Sequence, residues 1–117
     1  MKVRMYHNPR CRKSRQAKAL LEKRDVDLHI VEYLSDPPTK MELDEICTML
    51  GVEPQEIIRT KEKRFSELGL STKDQRKRRD WLKLMVDNSI LIERPIVVCR
   101  RKAAIGRPPE NVLDILR

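Results

Sequence analysis

The stretch "KVRMYHNPRCRKSRQAKALLEKRDVDLHIVEY", residues 2–33, changes its apolar period twice. "KVRMY" alternates and then meets Asn8-Pro9, which predicts a short strand ending at a turn. From Ser14 to Arg24 the apolar positions Ala17, Leu20 and Leu21 share one helical face among basic residues. "LHIVEY" (28–33) alternates again and predicts a second strand. A strand, a helix and a strand within about thirty residues predict a right-handed crossover with parallel strands.

Downstream, "SDPPTKMELDEICTMLG" (35–51) carries the clearest helix signal. Thr39 and Glu42 form a capping box, Leu43, Ile46, Cys47 and Leu50 a buried stripe, and Gly51 a stop. Pro54 opens a short helix running to about Arg59. "TKEKRFSELGLSTK" (60–73) has no apolar period and predicts an exposed loop. A further helix, starting near Asp74 or Asp80 and ending at Asp87, presents Trp81, Leu82, Met85 and Val86.

"ILIERPIVVC" and "KAAIG" predict two strands joined by a tight Arg-Arg turn, and "PPENVLDILR" a closing helix. The order β-α-β, helices, β-β-α, with Pro95 opening the third strand, predicts a thioredoxin-like α/β fold with a mixed sheet. Residues 1–117 are expected to form one domain, with a helical insertion over about 37–90.

Composition narrows the partners. Lys and Arg outnumber Asp and Glu by 26 to 18, so the net charge of +8 favours anionic partners. Aromatic residues are only 3%, too few to stack exposed bases, and nucleic acid is not the expected partner. "KDQRKRRD" (73–80) is the strongest basic run, but Asp74 and Asp80 break it and no recognition motif accompanies it, so a solvated helix face is expected. Three widely spaced cysteines without a secretory signal fit a reducing compartment, and no apolar run is long enough to span a bilayer. The expectation is a soluble cytoplasmic protein.

Cys11 is the chemical focus. It falls where the first strand turns into the first helix, facing unpaired amides and the positive helix end, and Arg10, Arg12, Lys13 and Arg15 flank it. Such surroundings lower a thiol pKa, and the same amide cradle suits a small oxyanion. His7 is near enough in sequence to pair with the thiolate, and Ser14 can cap the helix or touch the anion. An inert cysteine usually sits among apolar neighbours, so the polar flanks favour a reactive one. Ala17 stands six residues after Cys11, which excludes a Cys-x5-Arg phosphate loop. Ser14 stands where a dithiol would place its second cysteine, so any redox cycle must borrow an external thiol.

"YHNPRCRKSR", "EYLSDPPTKMEL", "IIRTKE", "ELGLS", "ILIERPIVV" and "IGRPPENVLDIL", in this order, resemble the glutaredoxin-dependent arsenate reductase family across essentially the whole chain. The resemblance implies reduction of arsenate to arsenite with glutathione as co-substrate and glutaredoxin as partner, and no tightly bound cofactor or metal. It matches the nucleophile to Cys11, its electrostatic helper to His7 and the oxyanion-binding arginines to Arg59, Arg94 and Arg107. Ser14 and Arg15 match the anion-binding loop, and Pro95 matches the proline held in cis beside the cysteine. Arg12 and Lys13 stand where small residues commonly follow that cysteine. Two other readings stay open: a regulator of the same fold that binds RNA polymerase (the Spx type), and a paralogue acting on another oxyanion or glutathione-linked substrate.

Overall fold

The computed structural model describes residues 1–116; the final residue of the predicted closing helix, Arg117, lies outside them. The chain forms two compact units, one of residues 1–36 with those from 94 onward, the other of residues 37–93.

The first unit is built on a four-stranded mixed sheet of order β2-β1-β3-β4, with β1 at Lys2–Tyr6, β2 at Asp27–Val31, β3 at Ile96–Cys99 and β4 at Lys102–Ile105. β1 runs parallel to β2 and antiparallel to β3, and β3 runs antiparallel to β4. Helix α1 (Arg12–Glu22) makes the β1-to-β2 crossover, and a 3₁₀ helix at Pro109–Leu116 closes the unit. Alternation does the sorting here. Val3, Met5, Val97 and Cys99 point to one face, where Ala17 and Leu21 of α1 and Val112 and Ile115 cover them. Val112 and Ile115 are three apart, the spacing that a 3₁₀ helix stacks on one side.

Within the second unit, α2 (Lys40–Leu50) packs on α4 (Arg78–Asp87). The expected capping box is present: Glu42 N–H donates to Thr39 Oγ1 at 3.1 Å and Thr39 N–H to Glu42 Oε1 at 2.9 Å. Gly51 ends the helix at φ 71°. Leu43, Ile46 and Cys47 are buried as expected, whereas Leu50 is half-buried. The 3₁₀ turn at Pro54–Ile57 precedes an isolated bridge between Ile58 and Ile92, and a second 3₁₀ turn spans Ser89–Leu91.

Several expectations are corrected. The segment 60–73 is not wholly a loop: α3 forms at Lys63–Glu67. It buries none of its residues, so it leaves no apolar period to read. α4 starts at Arg78, later than Asp74 and before Asp80, and Val86 is only half-buried. β2 ends at Val31 because the chain turns at Glu32, whose carbonyl accepts the Ser35 and Asp36 amides at 3.1 and 2.9 Å.

The basic run is solvent-facing, as expected, but two of its cations have partners within the helical unit. Arg76 lies over the Trp81 ring at 5.6 Å, and Arg78 Nε donates to Asp44 at 2.6 Å while its Nη1 donates to Glu53 at 3.0 Å. Among the described residues no helix is long and apolar enough to cross a membrane.

Candidate active site

The site begins where β1 stops. His7 N–H donates to Val31 O at 2.8 Å, the last backbone tie to the β2 side. Asn8-Pro9-Arg10-Cys11 then makes a β-turn in which Cys11 N–H donates to Asn8 O at 3.0 Å and Asn8 Oδ1 accepts Arg10 N–H at 3.0 Å. Pro at the second turn position and Asn at the first are the residues such a turn favours. The turn delivers Cys11 as the N-cap of α1, at φ −91° and ψ 123°.

Cys11 is half-buried, unlike Cys47 and Cys99, which are buried. Burial raises its pKa, but the Ser14 amide, the Arg94 guanidinium and the Lys13 amide together outweigh it, so the thiol ionises below its ordinary range. The helix N-terminus and one arginine thus act on the same sulfur. Arg107 Nη2 approaches Sγ at 3.7 Å, and Arg107 Nε donates to Arg94 O at 2.7 Å. Burial likewise opposes the charge on Arg94, yet Cys11 and the neighbouring Tyr33 hydroxyl hold its pKa above the usual value.

The Arg94–Pro95 bond is cis, as the resemblance implied, and Arg107–Pro108 is cis as well, which no sequence signal indicated. Gly106 joins these two segments: its N–H donates to Pro95 O at 2.9 Å. A Cβ on Gly106 would meet Pro95 Cγ at 2.6 Å and Val112 Cγ1 at 3.1 Å, and a proline ring has no flexible tip to give way. Gly106→Ala is therefore expected to lower unfolding stability by about 1–3 kcal/mol in urea denaturation, through overpacking beside both arginines.

His7 and Ser14 pair with each other. α1 begins two residues earlier than the pattern indicated, so Ser14 lies inside the first turn and fully buried rather than at the cap. Its hydroxyl shares a proton with His7 Nδ1 at 2.6 Å and accepts the Asn8 N–H at 3.1 Å. Burial first, then Lys18, lowers the His7 pKa, so the ring is neutral at neutral pH and pairs with Ser14 rather than with the sulfur. His7 is thus tied through Ser14 to the turn that presents Cys11.

This burial has a pH consequence. A histidine whose folded pKa is depressed contributes its full stability above the ordinary value of 6.5 and loses it as pH falls through the folded value. Urea midpoints measured from pH 7.5 downward should fall in wild type, and the fall should be shallower in His7→Gln.

The remaining candidates divide. Arg15 Nη1 donates to Pro9 O at 2.9 Å and so braces the turn. Arg59 belongs to the helical unit, where Glu62 holds its Nε at 3.1 Å and Glu93 its Nη1 at 2.9 Å. Its Nη2 takes no part in either pair. Tyr33, read in the sequence only as the last residue of the second strand, lies past the observed end of β2 and is 1% exposed beside Arg94. No sequence signal marked it, because its neighbour Arg94 is brought beside it only by the fold.

Known proteins resemble this chain over nearly its whole length. The chain is 43% identical to the uncharacterized protein YfgD of Escherichia coli, over 97% of this chain and 96% of that one. It is 42% identical to an arsenate reductase of Haemophilus influenzae, over 99% and 100%. The solved arsenate reductase from Vibrio cholerae superposes with a TM-score of 0.91 at 41% identity, covering 98% of each chain. Residues 6–115, which contain the cysteine turn and both Arg-Pro segments, match the ArsC family. This chain, with its thioredoxin-like fold, belongs to the ArsC family.

Proposed function

We propose that the protein reduces arsenate to arsenite through a covalent adduct on Cys11, with glutathione and glutaredoxin as the thiol reductants. The observation that carries this reading is a thiol of depressed pKa facing two arginines, Arg94 and Arg107, at an open helix N-terminus. Relatives that bear the arsenate reductase name over their full length support the choice of oxyanion.

In the first step the Cys11 sulfur attacks arsenic. Dihydrogen arsenate and the thiol give a thiol-bound arsenic(V) and one water, with no change of oxidation state. Arg94 and Arg107 offer planar forked donors to the arsenate oxygens, an arrangement that lysine does not reproduce.

In the second stage glutathione attacks the bound arsenic, and a glutaredoxin thiol completes the reduction. Arsenic gains two electrons and leaves as arsenite. The two thiols lose them as their mixed disulfide, and Cys11 regains its proton. No second cysteine of the protein is needed: Ser14, at the position a dithiol would use, is bonded to His7.

The test is a coupled assay with arsenate, glutathione, glutaredoxin and NADPH. Arsenate-dependent NADPH oxidation that stops when glutaredoxin is omitted is the expected result. No arsenate turnover, with Cys11 still alkylated rapidly at neutral pH, would instead favour the paralogue acting on another substrate. Co-purification with RNA polymerase in the absence of turnover would favour the regulator.

A further inference from the structure

The strand order places the two arginine segments and the C-terminal end of β2 on opposite sides of β1. On the β2 side an open cavity of about 240 Å³ lies between the cysteine turn and the segment after β2. Buried His7 and Asn8 contribute to its wall, and Pro9 and Leu34 give it apolar surface. Leu34 is 44% exposed, one of few large apolar side chains of this protein open to water.

Two opposite charges complete the lining: Arg10 from the turn and Glu32 from the end of β2. Neither makes an ion pair with the other or with any described residue. A cavity that offers one carboxylate, one guanidinium and a short apolar surface is complementary to an α-amino-acid group, whose ammonium and carboxylate share one carbon. Arg10 immediately precedes Cys11, so a molecule anchored here starts next to the nucleophile from the side that the arginine clamp leaves open.

We propose that this cavity binds the γ-glutamyl end of the thiol co-substrate, with its ammonium on Glu32, its α-carboxylate on Arg10 and its methylenes against Pro9 and Leu34. The glycyl end of glutathione carries a carboxylate alone and matches only half of the lining. This proposal rests on the reading that glutathione is the co-substrate, and it adds where that thiol is held and which end is recognised. With the γ-glutamyl end fixed on the β2 side, the cysteinyl arm extends over the turn toward arsenic on Cys11. The oxyanion and the thiol then approach the cysteine turn from opposite flanks.

The probe is S-methylglutathione, which keeps both charged ends and cannot react. Its titration should shift the backbone amide resonances of Asn8, Arg10, Glu32 and Ser35. Glu32→Gln should raise the KM for glutathione about ten-fold, the effect of losing one charge-assisted hydrogen bond, and leave the KM for arsenate and the alkylation rate of Cys11 unchanged. N-acetylglutathione, which lacks the ammonium, should be a poorer thiol for wild type than glutathione, and this preference should vanish in Glu32→Gln. Shifts confined to other residues, or an unchanged glutathione KM in Glu32→Gln, would overturn the assignment even if arsenate turnover is normal. Conversely, S-methylglutathione shifts at these amides in a protein without arsenate turnover would sustain the cavity and remove the reductase reading.

Discussion

Cys11→Ser is expected to lose arsenate reduction in the coupled assay, by at least roughly a thousand-fold, as for removal of a covalent nucleophile. A serine hydroxyl at the same N-cap is far less acidic than a thiol and cannot form the arsenic–sulfur bond on which the later steps depend. Iodoacetamide gives an independent readout. Burial pushes the Cys47 thiol up to about 11, and Cys99 is 2% exposed, so wild type should show one fast modification at neutral pH and Cys11→Ser none. The sign of the pH dependence follows from thiolate being the reactive form: the alkylation rate rises through the Cys11 pKa, and its midpoint lies below the ordinary thiol value. Turnover retained in Cys11→Ser would remove Cys11 from the mechanism.

Arg94→Gln is the second large effect. The guanidinium favours the thiolate and, in the proposed reaction, faces the anion, so its loss should move the midpoint of the alkylation curve toward the ordinary thiol value. Turnover should also fall by about 10²–10³, the typical consequence of deleting one donor aimed at developing charge. Arg94→Lys should recover part of the midpoint shift, because a charge returns, and less of the turnover, because the fork does not. Arg107→Gln separates the two contributions. Arg107 lies 3.7 Å from Sγ, but the lowered thiol pKa traces to the Ser14 and Lys13 amides and to Arg94. Its loss should therefore depress turnover with little movement of the midpoint. An Arg94→Gln protein with an unmoved alkylation midpoint would show that the helix amides alone ionise the thiol.

The active-site turn shows how far local chemistry reaches. Asn8-Pro9 predicts a turn, and the following basic helix predicts an electropositive N-terminus, so an activated Cys11 is legible from ten consecutive residues. The partner of His7 is not. Whether that ring faces the sulfur or Ser14 depends on where α1 begins, and a shift of two residues in that boundary moves Ser14 from the cap into the buried first turn. The short α3 escaped for the opposite reason. It buries nothing, so no pattern of burial was written into its sequence.

What the sequence by itself determined is what depends on neighbours along the chain: alternation in the strands, the Thr39–Glu42 capping box, the Asn-Pro turn and the placement of Cys11 at a helix start. Tertiary structure alone decided what depends on residues distant in the chain. It brought Arg107 to Sγ and to the Arg94 carbonyl, set Tyr33 beside Arg94, and left no room for a side chain at Gly106. It also opened a cavity between the cysteine turn and the end of β2, with Arg10 and Glu32 unpaired across it. The physical reason is the range of the forces involved: hydrogen bonds and backbone sterics act over a few residues of chain, whereas the charge felt by a sulfur is summed over every group that the fold carries to within a few ångströms of it.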